Sequence, residues 1–232
     1  NLESCDTSTM LNYYSYLEES NVRKKTCQLR MEWIKRYLPM GYRVLDLGCS
    51  DGLFVKCLTD AGYKACGMDI SHAMVSHSKK TYGVEVFQAD FEGEWPFQET
   101  FDAITCYATL SNITRPSLVF ENIRRHLRPG GFMFFNFGDR GRLISRMLGS
   151  RLYLYRPTAS TIYTRKNIID YLRTNGFIIE NISNDIQVVP LMRLIGFFRI
   201  PGLIKTFKLL GMEESNMKIH LLTGYAVRAV LA

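Results

Sequence analysis

The stretch Val44-Leu45-Asp46-Leu47-Gly48-Cys49-Ser50-Asp51-Gly52 constrains this chain more than any other. Apolar residues around one acid read as a short buried strand, and the glycines that follow read as a tight turn. Helical spacing resumes from Leu53 to Leu58. Strand, glycine turn and helix in that order place backbone N–H groups at a helix N-terminus, where a nucleotide-like ligand can meet them. Gly48 lets the turn bend and Gly52 lets the helix approach the strand, because neither carries a Cβ. Taken alone, the stretch also reads as a purely structural turn.

Two further acids narrow the choice. Tyr63–Asp69 reads as a second strand ending on an acid, 23 residues after Asp46. An acid about 20 residues past such glycines suits a ribose diol, because a carboxylate accepts from both hydroxyls. Val84–Asp90 reads as a third strand, its terminal acid 21 residues further on. Three parallel strands that end on polar residues line one edge of a sheet, and that joint pattern is specific.

On these residues the chain resembles the class I S-adenosylmethionine-dependent methyltransferases over roughly residues 30–183. Asp46-Leu47-Gly48-Cys49-Ser50-Asp51-Gly52 matches the family's first motif, acid-x-Gly-x-Gly-x-Gly, with Ser50 in place of the middle glycine. Asp69-Ile70-Ser71, with Met74 behind it, matches the ribose and adenine segment, and Asp90-Phe91 the adenine-contacting acid and its neighbour. Phe101–Cys106 matches the fourth strand and Leu127-Arg128-Pro129-Gly130-Gly131 the turn before the fifth. The resemblance implies a Rossmann-like, doubly wound α/β sheet of seven strands, mostly parallel with an antiparallel last strand. It implies S-adenosyl-L-methionine as cofactor, held by Asp46, Gly48, Cys49, Ser50, Gly52, Asp69, Ile70, Met74, Asp90, Phe91 and Tyr107. Serine is small enough for the cofactor site to tolerate it at position 50.

At 232 residues the chain can bury a substantial core, and one domain over 1–232 is the expectation. Hydrophobic residues make up 47% and charged ones 22%, which excludes a disordered chain, and no apolar run is long enough to span a bilayer. No secretory signal is visible and the six cysteines show no C-x-x-C spacing, so reduced thiols and a cytoplasmic location are expected. Residues 1–40 read as an N-terminal helical cap, with Leu29, Trp33 and Tyr37 at i, i+4; the resemblance implies that such a segment closes over the cofactor, where Tyr13 or Tyr14 would contact it. Leu53–Asp60 reads as the first helix after the turn. Ser71 is placed to cap a helix running to about Thr81, Pro116 to open one, and Thr164 to cap another.

Two stretches break the strand–helix alternation. Residues 138–166 hold seven Lys or Arg against the single acid Asp139, with Tyr153, Tyr155 and Tyr163 among them. Residues 184–218 are dense in Leu, Ile and Phe with basic residues interspersed. Both read as lid insertions over a substrate pocket, although 184–218 also suits an anionic membrane surface or a homodimer contact.

Many small-molecule members of the family carry Leu-Glu-His after the fourth strand and Pro-x-His-x-x-x-Phe-Thr near residue 157. Here Ser111 and Asn112 stand at the Glu and His positions, and Ala159 replaces the second His. No catalytic residue is therefore assigned. His72, His77, His126 and His220 read as structural or exposed, and no residue cluster has metal-ligand spacing, so no metal is expected. Asn112, Asp139, Tyr155, Arg156 and Tyr163 are the substrate-pocket candidates, because they follow strand ends or lie in the first insertion.

The sequence thus points to methyl transfer onto an O or N atom of a small, partly apolar biosynthetic molecule. The +7 net charge raises an RNA methyltransferase as an alternative, but no Asp/Asn-Pro-Pro-Tyr/Phe follows the fourth strand, where Tyr107-Ala108-Thr109-Leu110 stands instead. A non-catalytic S-adenosylmethionine-binding regulator is the third reading, motivated by the absent histidines.

Overall fold

A computed structural model describes residues 20–148, 160–161, 163–190, 206, 210 and 216–232. The chain divides into two compact units, one of Met31–Asp185 with His220–Ala232 and one of Asn1–Arg30 with Ile186–Ile219. In the smaller unit the Val188 N–H donates to Thr26 Oγ1 at 3.2 Å.

Seven strands form the sheet: β1 Arg43–Leu47, β2 Lys64–Asp69, β3 Val86–Gln88, β4 Phe101–Cys106, β5 Leu127–Gly138, β6 Phe177–Pro190 and β7 Asn216–Leu231. Their order is β3-β2-β1-β4-β5-β7-β6. The β1–β2, β1–β4, β2–β3 and β4–β5 pairs are parallel, and β7 runs antiparallel to β5 with Phe137 facing Tyr225 and Gly138 facing Gly224. This is the expected doubly wound sheet with its antiparallel last strand. Val44, Leu45 and Leu47 have no exposure, nor have Met133, Phe134 and Phe135, as strands covered on both faces require.

The helices are α1 Ser20–Ile34, α2 Leu53–Asp60, α3 His72–Tyr82, α4 Pro116–His126, α5 Leu143–Leu148 and α6 Arg165–Thr174. α2 buries Leu53, Phe54, Val55 and Leu58 against the sheet, and Gly62, at φ 87, follows its end. Ser71 Oγ accepts from the Met74 N–H and caps α3, which stops at left-handed Gly83. Thr164 and Asn167 form a reciprocal capping box at the start of α6.

Several boundaries differ from the expected ones. The helical spacing expected to reach Tyr37 ends at Ile34, and Tyr37 instead lies under the Arg228 guanidinium, 3.4 Å from its ring centre. Extended structure begins at Leu127, before Pro129-Gly130-Gly131, because Leu127 already pairs with Phe101. β6 runs on through the polar Ser183-Asn184-Asp185 to Pro190, and β7 begins at Asn216. The second insertion is therefore shorter than 184–218, with residues 191–215 between the two strands. Tyr13, Tyr14, Tyr155, Arg156 and Ala159 lie outside the described residues.

Candidate cofactor and acceptor site

Strand register brings Leu47 beside Met68 and Asp69 beside Gln88, so the C-terminal ends of β1, β2 and β3 align on one edge. In an open parallel sheet that edge is where ligands bind. The turn after β1 is tightly folded: Gly48, Ser50 and Gly52 have φ of 76, 52 and 78. Gly48 cannot be replaced without conflict, because a Cβ there would fall 2.2 Å from Thr109 Oγ1. At Gly52 a Cβ would fall 2.7 Å from Ser78 Cβ of α3, so this glycine sets how closely the start of α2 approaches α3. Ser50 adopts the left-handed conformation that explains why glycine is usual at its position.

Asp69 anchors this turn. Its Oδ2 accepts from the Ser50 N–H at 2.8 Å and its Oδ1 from the Ser71 N–H at 2.9 Å. Burial raises its pKa, and the hydrogen bonds from Ser71, Ser50 and Ile70 oppose that rise. Each oxygen keeps a further lone pair for a ligand hydroxyl. Asp46 is buried within β1, where its Oδ1 accepts from Thr105 Oγ1 at 2.6 Å. Asp51 is fully buried at the start of α2. Cys49 lies behind the turn against Gly67; its thiol is pushed far above the usual range by burial and by the carboxylates of Asp46, Asp69 and Asp51, so it stays neutral. Three acids around one turn make a negative potential suited to a cation.

The remaining cofactor candidates follow the C-terminal ends of β2, β3 and β4. Ile70 is 45% exposed immediately beyond Asp69, an apolar surface of the kind a ligand covers. Met74 Sδ lies 3.5 Å from Ser50 Oγ. Asp90 is exposed beyond β3, with its Oδ1 receiving the Glu92 N–H at 2.9 Å, and Phe91 is half-buried beside it. Tyr107 is buried beyond β4, edge-on to Phe54 with ring centres 5.5 Å apart.

The candidate acceptor side draws on β4, β5 and the segment before α6. Ala108 has a left-handed φ of 58, and its N–H donates to Asn136 Oδ1 at 2.6 Å. Asn136 Nδ2 donates in turn to Asp185 Oδ2 of β6 at 2.7 Å. Leu110–Asn112 form a short 3-10 turn with Asn112 exposed. The Ser111 carbonyl accepts from the Ser160 and Thr161 N–H groups at 2.7 and 3.1 Å, and Thr161 Oγ1 donates to the Ile113 carbonyl at 2.6 Å. The two stretches where the family's histidines are replaced therefore meet in space.

Asp139 is buried, and its Oδ1 receives the Gly141 and Arg165 N–H groups at 2.7 and 3.2 Å, which ties the end of β5 to the start of α6. Tyr163 is buried beside Phe137 in a bridge to Asp139, and burial raises its hydroxyl pKa well above the usual range. His126 sets Nδ1 2.9 Å from the Asn122 carbonyl and Nε2 3.2 Å from the Phe97 carbonyl, a structural placement. Among the described residues no group of three or more His, Cys, Asp or Glu could hold a metal ion, and no helix is long and apolar enough to cross a membrane.

Sequence reasoning missed Thr109, Asn136 and Asp185. The signal for Asn136 was available, as the one polar residue in the run Phe132–Phe137, since a buried amide needs partners.

Residues 19–182 match a family described as a methyltransferase domain. The chain is 29% identical over 121 residues to a ubiquinone biosynthesis O-methyltransferase of Thiobacillus denitrificans, covering 48% of this chain and 51% of that protein. It is 30% identical over 173 residues to the one of Paracidovorax citrulli, covering 64% of this chain and 72% of that protein. It thus spans about half the length of the first of these relatives. In fold it is similar to a methyltransferase structure from Thermotoga maritima, at a TM-score of 0.63 and 17% identity, covering 96% of each chain. It is also similar to magnesium protoporphyrin IX methyltransferase from Synechocystis with bound S-adenosylhomocysteine, at a TM-score of 0.60 and 17% identity, covering 90% of this chain and 84% of that one.

Proposed function

Because the chain belongs to the methyltransferase-domain family, we propose that it transfers the methyl group of S-adenosyl-L-methionine to an O or N atom of a small, partly apolar biosynthetic molecule. The observation that carries this reading is the left-handed turn of Gly48, Ser50 and Gly52 tied to Asp69 at the end of β2. The O-methyltransferase names of the relatives favour oxygen as the acceptor atom.

When bound, the cofactor supplies a methyl group already activated on sulfur. The chain then has to bind, orient and exclude water, and alignment alone can contribute on the order of 7–11 kcal/mol. Asp69 would accept from both ribose hydroxyls while its carboxylate stays held by Ser50 and Ser71. Ile70 and Phe91 would flank the adenine, with Asp90 at its edge and Met74 beneath the turn. Tyr107 and the Gly48 backbone would line the methionine end. The acids at positions 46, 51 and 69 favour the cationic sulfonium over the neutral product.

The two substituted stretches carry no histidine, so we propose that the acceptor hydroxyl loses its proton to bulk water rather than to an imidazole. The pH profile should follow the ionisation of the acceptor hydroxyl, with no inflection near the imidazole range of about 6.5. Transfer should also survive a strong chelator. We place the reaction in the cytoplasm, in keeping with the reduced buried thiols Cys49, Cys66 and Cys106. Nothing in the described residues favours the RNA or regulator readings.

Labelled cofactor incubated with a phenol and catechol panel and with a metabolite extract tests the proposal. Label in a small molecule supports it, and label only in RNA, or nowhere, overturns it. The segment between β6 and β7, residues 191–215, is proposed to recognise the acceptor. Deleting Pro190–Met212 should abolish transfer and leave S-adenosylhomocysteine affinity within a few-fold. Full turnover without the segment would reassign it to a membrane surface or a second copy of the chain.

A further inference from the structure

We infer that Asn136 and Asp185 are positioning residues that set the wall of the cofactor site through Ala108 and Thr109. This rests on the reading of the glycine turn as the S-adenosylmethionine site. Ala108 and Ser50 are the described non-glycine residues with positive φ, a conformation that L-residues rarely adopt. Ser50 is held by Asp69, and Ala108 by the carbonyl oxygen of Asn136 at 2.6 Å.

The orientation of that amide follows from its two neighbours. The Ala108 N–H can only donate, so Oδ1 must face it, and Nδ2 is left to donate to the Asp185 carboxylate at 2.7 Å. Asn136 and Asp185 are each 4% exposed, so the bond between them is shielded from water. Asp185 therefore fixes the direction of Asn136, and Asn136 fixes the strained residue. The next residue, Thr109, lies so close to Gly48 that a Cβ on the glycine would fall 2.6 Å from its Cγ2 and 2.2 Å from its Oγ1. The contacts run from β6 through β5 and the turn after β4 to the first glycine of the cofactor turn. If Ala108 relaxes, Thr109 leaves Gly48 and the wall moves.

The pair allows a test in which two wrong residues make one right arrangement. Asn136→Asp keeps an acceptor for Ala108 but turns a second carboxylate oxygen toward Asp185. Adding Asp185→Asn restores a donor between the two positions, now from β6 to β5. Calorimetric titration with S-adenosylhomocysteine, on variants shown folded by thermal melting, should show roughly tenfold weaker binding for Asn136→Asp. The exchanged pair should return to within about threefold of the parent, as expected when the hydrogen bonds are remade. A role in folding alone would move the melting midpoint and leave the affinity of the folded variants unchanged. Should Asn136→Asp not fold, Asp185→Leu removes the acceptor without facing two carboxylates, and about fivefold weaker binding is expected. An exchanged pair as weak as Asn136→Asp, or single variants that bind like the parent, would overturn the inference alone. A parent that does not bind S-adenosylhomocysteine would sink both it and the functional reading.

Discussion

At the ends of β1 and β2 the backbone shapes the site, with Gly48, Ser50 and Gly52 in left-handed conformations and peptide N–H groups of Ser50 and Ser71 on Asp69. At the ends of β4 and β5 side chains do that work, since Asn136 holds Ala108, Asp185 holds Asn136, and Asp139 holds the start of α6. A backbone-made surface leaves few substitutions open, because the missing Cβ is itself the feature. A side-chain-made surface can change its chemistry while keeping its frame. In keeping with this, the glycine turn departs from the family pattern at one position, Ser50, whereas the β4–β5 side carries neither of the family's histidines yet still joins Ser111 to Ser160 and Thr161.

The largest effect should come where the two halves touch. Gly48→Ala places a methyl group 2.2 Å from Thr109 Oγ1 at a φ of 76. Left-handed strain and overpacking together should cost about 2–5 kcal/mol. Thermal melting and cofactor titration should both fall sharply, and Thr109→Ala in the same chain should recover part of the loss. No recovery would mean that Thr109 is not the obstacle and that the halves are independent.

A smaller effect is expected at Glu92, whose carboxylate joins the loop after β3 to the start of α4. It accepts from the Thr114 N–H at 2.6 Å, Thr114 Oγ1 at 2.7 Å, and the Arg115 N–H and Nε at 2.9 and 2.8 Å. Burial raises its pKa, but these bonds outweigh it and hold the group down to about 2 from 4.5. A depressed folded pKa means that the stabilisation is present above 4.5 and is lost as pH falls toward 2. Glu92→Gln should cost about 1 kcal/mol at neutral pH, the low end for charged hydrogen bonds because Arg115 is largely exposed. The gap between parent and variant in denaturant unfolding should close in acid; a gap independent of pH would remove the carboxylate from this role.

The smallest effect is expected at the family departure. Ser50→Gly relieves a left-handed residue but loosens the unfolded chain, so stability should rise by no more than about 1 kcal/mol. Cofactor affinity should stay within about threefold. A marked loss would show that Ser50 Oγ, beside Met74, contributes contacts of its own.

The backbone-made half was also the half legible in the sequence. The spacing of Asp46, Asp69 and Asp90 and the glycines between them located the edge of the sheet, and α2 runs from Leu53 to Asp60 as its apolar spacing implied. Ser71 and Thr164 acted as the caps their positions suggested. The side-chain-made half was not legible, because its bonds join residues far apart in the chain. Asn184 and Asp185 fall in the stretch 184–218 that reads as an insertion, yet β6 runs through them, since Asn136, 49 residues away, supplies the partner that lets Asp185 be buried. Pro129-Gly130-Gly131 reads as a turn, yet Leu127 is already drawn into the sheet by Phe101. Asp139 was placed near the acceptor for its position after β5, and its Oδ1 proves to tie down Gly141 and Arg165.

Titration of the parent and of Asp69→Ala with S-adenosylhomocysteine tests the cofactor reading most directly. Asp69 shapes the turn and is the proposed acceptor for the ribose diol, so its removal should unpin Ser50 and Ser71 and take away that acceptor. The expected loss is about 1–3 kcal/mol, or roughly 5- to 150-fold in affinity. Because burial raises the Asp69 pKa and ligand hydroxyls favour its charged form, parent affinity should also weaken as the pH falls into the carboxylate range. Binding by the parent with this loss in a folded variant is the predicted result. Equal affinity in both proteins would remove Asp69 from the site and contradict the placement of the cofactor along β1, β2 and β3.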